Sequence, residues 1–218
     1  MRAETAGFDG DELHGANGYI LCAFFSPETN RREDRYGGSP ENRARILFDI
    51  IKGVRERTGP DFQLGVRISP ERFGLVFAEQ RALAARLLTS GDLDFLDMSL
   101  WDCFKPPVEE AFADRPLIDW FTDLPRGPTR LGAAGKLMSG PDCRRLVEHG
   151  ADFVILGRAA VLHHDFPQRV AGDPEFHTIA LPVTRAYLRG EHLGPAMVEY
   201  MNNWRGFVAA EETEAASA

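Results

Sequence analysis

Three residues near the N-terminus, His14, Asn17 and Tyr19, are of the types that polarise and protonate a carbonyl compound. A histidine and an asparagine three residues apart can both donate hydrogen bonds to one oxygen and gather negative charge there. A tyrosine beside them can supply a proton. The same three residues also suit a plain loop histidine and an asparagine that caps a helix, so the trio alone decides nothing. Arg67 lies in Gly65-Val66-Arg67-Ile68-Ser69-Pro70. Strand alternation puts Gly65 and Arg67 on one face and Val66 and Ile68 on the other. An arginine drawn out of water needs an anion or several acceptors, whether a bound ligand or a carboxylate on another strand. Two glycine turns, Gly135-Lys136 and Gly157-Arg158, let a backbone approach a phosphate closely, with a cation at hand in each.

The elements that must position these residues read as alternating strands and helices. Short apolar runs at residues 10–14, 63–69, 95–99, 130–134 and 153–157 suit buried parallel strands. Residues 41–58 carry Ala44, Leu47, Ile50, Ile51 and Val54 on one helical face, with Ser39 as N-cap and Pro40 in the first turn. Further helices are expected at 77–90, 141–149, 182–189 and 195–204, and an irregular loop with a short helix at 100–126. This order implies a parallel sheet with outer helices, either open or closed into a barrel. In α/β barrels the loops at the C-terminal strand ends build the active site, and those after the last two strands often bind phosphate. Each of the candidate residues sits at or just after such a strand end, with Arg67 aimed into the mouth.

Composition narrows the function classes. A net charge of −8 over 218 residues argues against a nucleic-acid binder. Cys22, Cys103 and Cys143 are scattered and odd in number, a poor disulfide framework and a poor zinc site, which fits reduced thiols in the cytoplasm. No apolar run approaches a membrane span or a secretory leader. The adjacent His163-His164-Asp165 is better read as surface than as metal ligands, since neighbouring histidines splay apart on a helix. Trp101 and Phe104 suit either a substrate pocket or a cover for the end of the sheet. Residues 1–208 read as one domain and 209–218 as a disordered acidic tail.

Together these residues resemble the Old Yellow Enzyme family of FMN-dependent NAD(P)H oxidoreductases. The resemblance runs from about residue 6 to 169, and more weakly to 207. Its most specific part is the polar loop with Asn30, Arg32, Asp34, Tyr36-Gly37-Gly38-Ser39 and Glu41-Asn42-Arg43. The family resemblance implies a partial (β/α)8 barrel, with five strands equivalent to the fourth to eighth. It implies that His14 and Asn17 hold the substrate carbonyl and Tyr19 protonates the alkene. Arg67 then lies beside the flavin, and Gly135, Lys136, Gly157 and Arg158 take the FMN phosphate. The reaction implied is reduction of activated alkenes with NADH or NADPH, by the whole enzyme or by the FMN-binding half of one.

Three features depart from the family pattern: Asp11 where an apolar residue is usual, Cys22-Ala23 for a polar pair, and Ala134-Gly135-Lys136 for a double glycine. Asp11 shares parity with Leu13 and is expected to face the helices, which is costly if it is unpaired. Five strands of an eight-stranded barrel leave two open edges. That points to a piece of a longer protein, to self-association through those edges, or to a decayed product that folds poorly. Two other readings stand beside the enzyme: a non-catalytic remnant or association module, and a flavin-free barrel acting on a phosphorylated substrate.

Overall fold

Five strands form where the apolar runs predict them: β1 (Gly10–Gly15), β2 (Gln63–Ile68), β3 (Phe95–Ser99), β4 (Arg130–Ala134) and β5 (Phe153–Val154). The computed structural model describes residues 2–210. All four pairings are parallel, and the strand order follows the chain without reversal, β1-β2-β3-β4-β5. A doubly wound sheet reverses its order at a switch point. A sheet that never reverses, with right-handed crossovers, carries its helices on one face, as one arc of a barrel does.

The helices are α1 (Arg2–Thr5), α2 (Ile20–Phe25), α3 (Pro40–Arg55), α4 (Phe77–Thr89), α5 (Asp119–Thr122), α6 (Gly140–Glu148), α7 (Arg158–Leu162), α8 (Phe166–Gly172), α9 (Arg185–Gly190) and α10 (Pro195–Met201). A 3-10 turn spans Glu110–Phe112. Ser39 caps α3 as the sequence predicts, its Oγ accepting from the Asn42 N–H at 3.3 Å. The short helices α2, α7 and α8 were not legible in the sequence, since none is long enough to show a periodic face.

Two compact units make up the described residues. One holds the chain up to Lys136 together with Arg144–Ile155, and so the whole sheet. The other holds Leu137–Cys143 and the chain from Leu156, and has its own core of Leu162, Val183, Leu188, Val198, Met201 and Phe207. Of the tail expected at 209–218, residues 211–218 lie outside the described residues, while the Ala209 N–H donates to the Val183 carbonyl at 2.8 Å.

In the first unit the two sheet faces differ sharply. Leu64, Val66 and Ile68 on β2, Leu96 and Met98 on β3, and Leu131 and Ala133 on β4 are fully buried on the helix side. The opposite face carries Glu12 and His14, then Gly65 and Arg67, then Phe95, Asp97 and Ser99. Gly65 pairs with Phe95 and Gly132 with Phe153 across the strands. A Cβ on either glycine would overlap the facing ring, so glycine leaves room there for the two phenyl groups, which meet edge to face at 5.9 Å. Asp11 pairs with Leu64 and so shares the helix-side parity, but it is not buried there. It is exposed, and its carboxylate accepts from the Glu12 N–H at 2.8 Å. Among the described residues β1 is paired on one side only, and because the side chain is exposed the expected burial cost does not arise.

The polar loop at residues 26–43 is held by its own side chains. The Asn30 amide donates to the carbonyls of Phe24 (2.8 Å) and Tyr36 (2.7 Å), and its oxygen accepts from the Arg32 N–H. The Asp34 carboxylate takes the Tyr36 N–H at 3.0 Å and the Arg32 guanidinium. Arg43, 5% exposed, donates to the Phe25 and Gly38 carbonyls and pairs with Glu79 on α4. The string that carries the family resemblance is thus the framework of this loop.

Candidate active site

His14 ends β1, and the chain turns at once through Asn17, held at φ 58°, and Gly18, at φ 77°. The Asn17 N–H donates to Ser69 Oγ at 3.0 Å, and Ser99 Oγ donates to the Asn17 side-chain oxygen at 3.4 Å. Ser69 follows β2 and Ser99 ends β3, so two neighbouring strands fix this asparagine and leave its NH2 to donate outward. The helix that follows is capped by Tyr19, without a side-chain cap, so Asn17 is not a capping residue. Sequence reasoning missed Ser69 and Ser99. Their signal was only that each stands at a C-terminal strand end.

The His14 ring meets the Tyr19 ring edge to face at 5.1 Å, and Tyr19 is 65% exposed. Burial, reinforced by the Arg67 charge, holds the His14 imidazole below its ordinary value, so at neutral pH it is uncharged and offers one N–H. Gly18 matters for this turn. Its φ is positive, and a methyl there would stand 3.0 Å from the Phe73 ring. Gly18→Ala is expected to destabilise the protein by about 1–2 kcal/mol, seen as a lower urea midpoint. An unchanged midpoint would show that the turn tolerates a side chain.

Arg67 is His14's neighbour in register. Its guanidinium binds Asp97 on β3 and lies 3.5 Å from Glu12 on β1. Of the two partners open to it on sequence grounds, the structure shows the cross-strand carboxylate. Asp97 is fully buried, with one carboxylate oxygen unpartnered among the described residues. Burial, only partly offset by Arg67, pushes its carboxyl up to about 7, and Glu12 is likewise raised by burial. Neither acid was singled out from the sequence. The two candidate pocket aromatics part company: Trp101 is 53% exposed under Arg72, whereas Phe104 packs against His149 and Arg145.

The two glycine turns are described separately, since Gly135 and Lys136 belong to the first unit and Gly157 and Arg158 to the second. The Gly135 carbonyl accepts from the Cys103 N–H at 3.2 Å, and a methyl on Gly135 would meet the Cys103 and Asp102 backbone at 2.9–3.0 Å. Lys136, at φ 58° where the family has a second glycine, pairs with Asp102 at 3.1 Å. An anion at Lys136 would share the ammonium with Asp102. Gly157 is exposed and caps α7, with half-buried Arg158 at its first position. Glycine backbone with an adjacent cation fits a phosphate at this second turn, and Arg67 with neutral His14 fits an electron-rich ring or carbonyl at the first unit's opening.

The histidine pair corrects one expectation. His163 is not at the surface: it is 6% exposed, while His164 is half exposed. α7 ends at Leu162 and His163 is extended at φ −144°, so helical splay does not apply, and both imidazoles approach Glu191, His163 Nδ1 at 4.0 Å and His164 Nδ1 at 2.7 Å. Ligand atoms of His163, Asp165 and Glu191 lie within 4.8 Å of one another. His163 Nε2 accepts the Ile179 N–H at 3.0 Å, which in a neutral ring leaves the proton on Nδ1, facing Tyr187 Oη at 3.2 Å. Asp165 holds Arg169 at 2.7 Å and Glu191 holds His164 at 2.7 Å. Every member is already spent on a hydrogen bond.

Known proteins resemble this chain over most of its length. A sequence model of the NADH:flavin oxidoreductase / NADH oxidase family matches residues 1–175. A probable NADH-dependent flavin oxidoreductase, YqiG of Bacillus subtilis, is 35% identical over 176 residues, covering 78% of this chain and 47% of that protein. The NADH:fumarate oxidoreductase of Klebsiella pneumoniae is 32% identical over 185 residues, covering 80% of this chain and 20% of that protein. Among solved structures, morphinone reductase superposes with a TM-score of 0.66 at 30% identity, covering 85% of this chain and 49% of that one. The chain thus spans half or less of the length of these relatives, and it belongs to the NADH:flavin oxidoreductase / NADH oxidase family, whose members use FMN with NADH or NADPH.

Proposed function

We propose that this chain forms the FMN-facing part of an NAD(P)H oxidoreductase that reduces activated alkenes such as α,β-unsaturated carbonyl compounds. The observation that carries the reading is the grouping of His14, Asn17 and Arg67 at adjacent C-terminal strand ends, with Asn17 locked by Ser69 and Ser99. In this reading His14 and Asn17 hold the substrate oxygen with two N–H donors. Tyr19, at the entrance, delivers the proton. Arg67 would face the flavin, and each glycine turn taken by itself, Gly157-Arg158 or Gly135-Lys136, is a candidate to take the phosphate. FMN, when bound, supplies the hydride chemistry itself. We place the protein in the cytoplasm, which its free cysteines suit. No helix among the described residues is long and apolar enough to cross a membrane.

The test is an FMN titration followed by absorbance. Wild type is expected to take up FMN with a shifted, resolved flavin band, and Arg67→Gln to weaken uptake by about tenfold, since a hydrogen bond from a charged group contributes about 1.5 kcal/mol or more. No uptake by wild type would count against the reading. One observation favours the alternative of a non-catalytic association module: among the described residues β1 and β5 are each paired on one side only. A cooperatively folded chain that self-associates through those edges, and that neither binds FMN nor oxidises NAD(P)H, would support it.

A further inference from the structure

The loops after β1 to β4, at residues 15–19, 69–76, 100–109 and 135–136, contain three cations: Arg72, Lys105 and Lys136. Lys105 pairs with buried Glu71, and Lys136 with Asp102. Arg72 is exposed and has no carboxylate partner among the described residues. Its guanidinium lies over the Trp101 ring, 4.7 Å from the centroid.

The backbone goes to some cost to present this pair. Arg72 (φ 67°), Phe73 (φ 54°) and Gly74 (φ 69°) are three consecutive left-handed residues, and Trp101 is a fourth at φ 64°. Side-chain-bearing residues avoid that region, and clusters of them persist where the surroundings over-determine the conformation, often at ligand sites. The anchor here is Glu71, 6% exposed, whose carboxylate takes the Val108 N–H at 2.8 Å as well as Lys105. The same loop touches the one bearing His14 and Asn17: Ser69 accepts the Asn17 N–H, and the Phe73 ring packs on Gly18.

We propose that Arg72, stacked on Trp101, is a specificity-determining residue that binds a carboxylate on the substrate, so that the preferred substrate is a carbonyl compound bearing a separate anionic group. Stacking on an indole holds a guanidinium by its face and leaves its N–H edge free for a bidentate carboxylate. That the anion belongs to a substrate rests on the oxidoreductase reading, whereas its recognition by Arg72 does not.

A matched pair of ligands tests this. 4-Acetylbenzoate and 4-acetylbenzamide share a ring and a ketone and differ only in charge. Titrated into the full chain and followed by ligand-observed NMR, the benzoate is expected to bind about tenfold more tightly than the amide, as a charge-assisted bond predicts. Arg72→Gln is expected to abolish the preference and Arg72→Lys to retain part of it. Arg130→Gln, a 72% exposed cation at the other end of the strands, is expected to leave it intact. Equal affinities in wild type, no binding of either compound, or a preference that survives Arg72→Gln would each overturn the proposal. An Arg72-dependent preference in a chain that takes up no FMN would instead retain the anion site and remove the oxidoreductase reading.

Discussion

Arg43→Met is expected to destabilise the protein by about 3–5 kcal/mol, the usual cost of removing one partner from a buried ion pair. The side chain is 6% exposed and ties three elements together. Its Nε donates to the Phe25 carbonyl at the end of α2 at 2.9 Å, one terminal nitrogen reaches the Gly38 carbonyl, and the other binds Glu79 on α4. Methionine fills the volume but leaves two carbonyls and a carboxylate without donors. Urea unfolding measures the loss, and Arg43→Lys, which keeps the charge but not the fork, is expected to fall between. A midpoint within experimental scatter of wild type for Arg43→Met would show that this arginine does not hold the loop. Any loss of FMN binding in such variants is expected to follow the loss of structure, because Arg43 faces α2 and α4 and not the opening.

A second large effect is electrostatic. Burial raises the Asp97 carboxyl from 3.8 to about 7, so between these values the folded protein binds a proton that the unfolded chain has released. Stability linked to this group is therefore full below about pH 4 and is lost as pH rises towards 7. At about 1.4 kcal/mol per pK unit, the span amounts to a few kcal/mol. Asp97→Asn removes the titration. Relative to wild type the variant is expected to gain stability steadily between pH 4 and 7 and to hold that gain at pH 8. Arg67 keeps Glu12 at 3.5 Å in the variant, so its charge is not stranded. Glu12, also raised by burial, interacts with Asp97 and shifts with it, so the difference between the two curves reports the coupled pair. Parallel curves for wild type and Asp97→Asn would remove the assignment.

The sequence by itself determined where β2 to β5 lie, because each is a short, largely apolar run of the kind that buried parallel strands need, whereas β1, Gly-Asp-Glu-Leu-His-Gly, is polar and only partly buried. It determined the parity of Arg67, since alternation is a property of the strand. It also determined the capped start of α3 and the identity of the polar loop, whose side chains satisfy backbone groups only a few residues away.

Tertiary structure decided everything that depends on a neighbour distant in sequence. Asp97 reads as an ordinary residue of Phe-Leu-Asp-Met-Ser until the register sets it beside Arg67. Ser69 and Ser99 matter only because β2 and β3 bring them to Asn17. Asp11 stays exposed on β1, which among the described residues is paired on one side only, and His163 is buried because α7 stops one residue before it. Lys136 and Arg72 are both loop cations in the sequence. The fold neutralises the first with Asp102 and leaves the second over Trp101, because charge pairing is settled by distance in space, which composition and spacing do not encode.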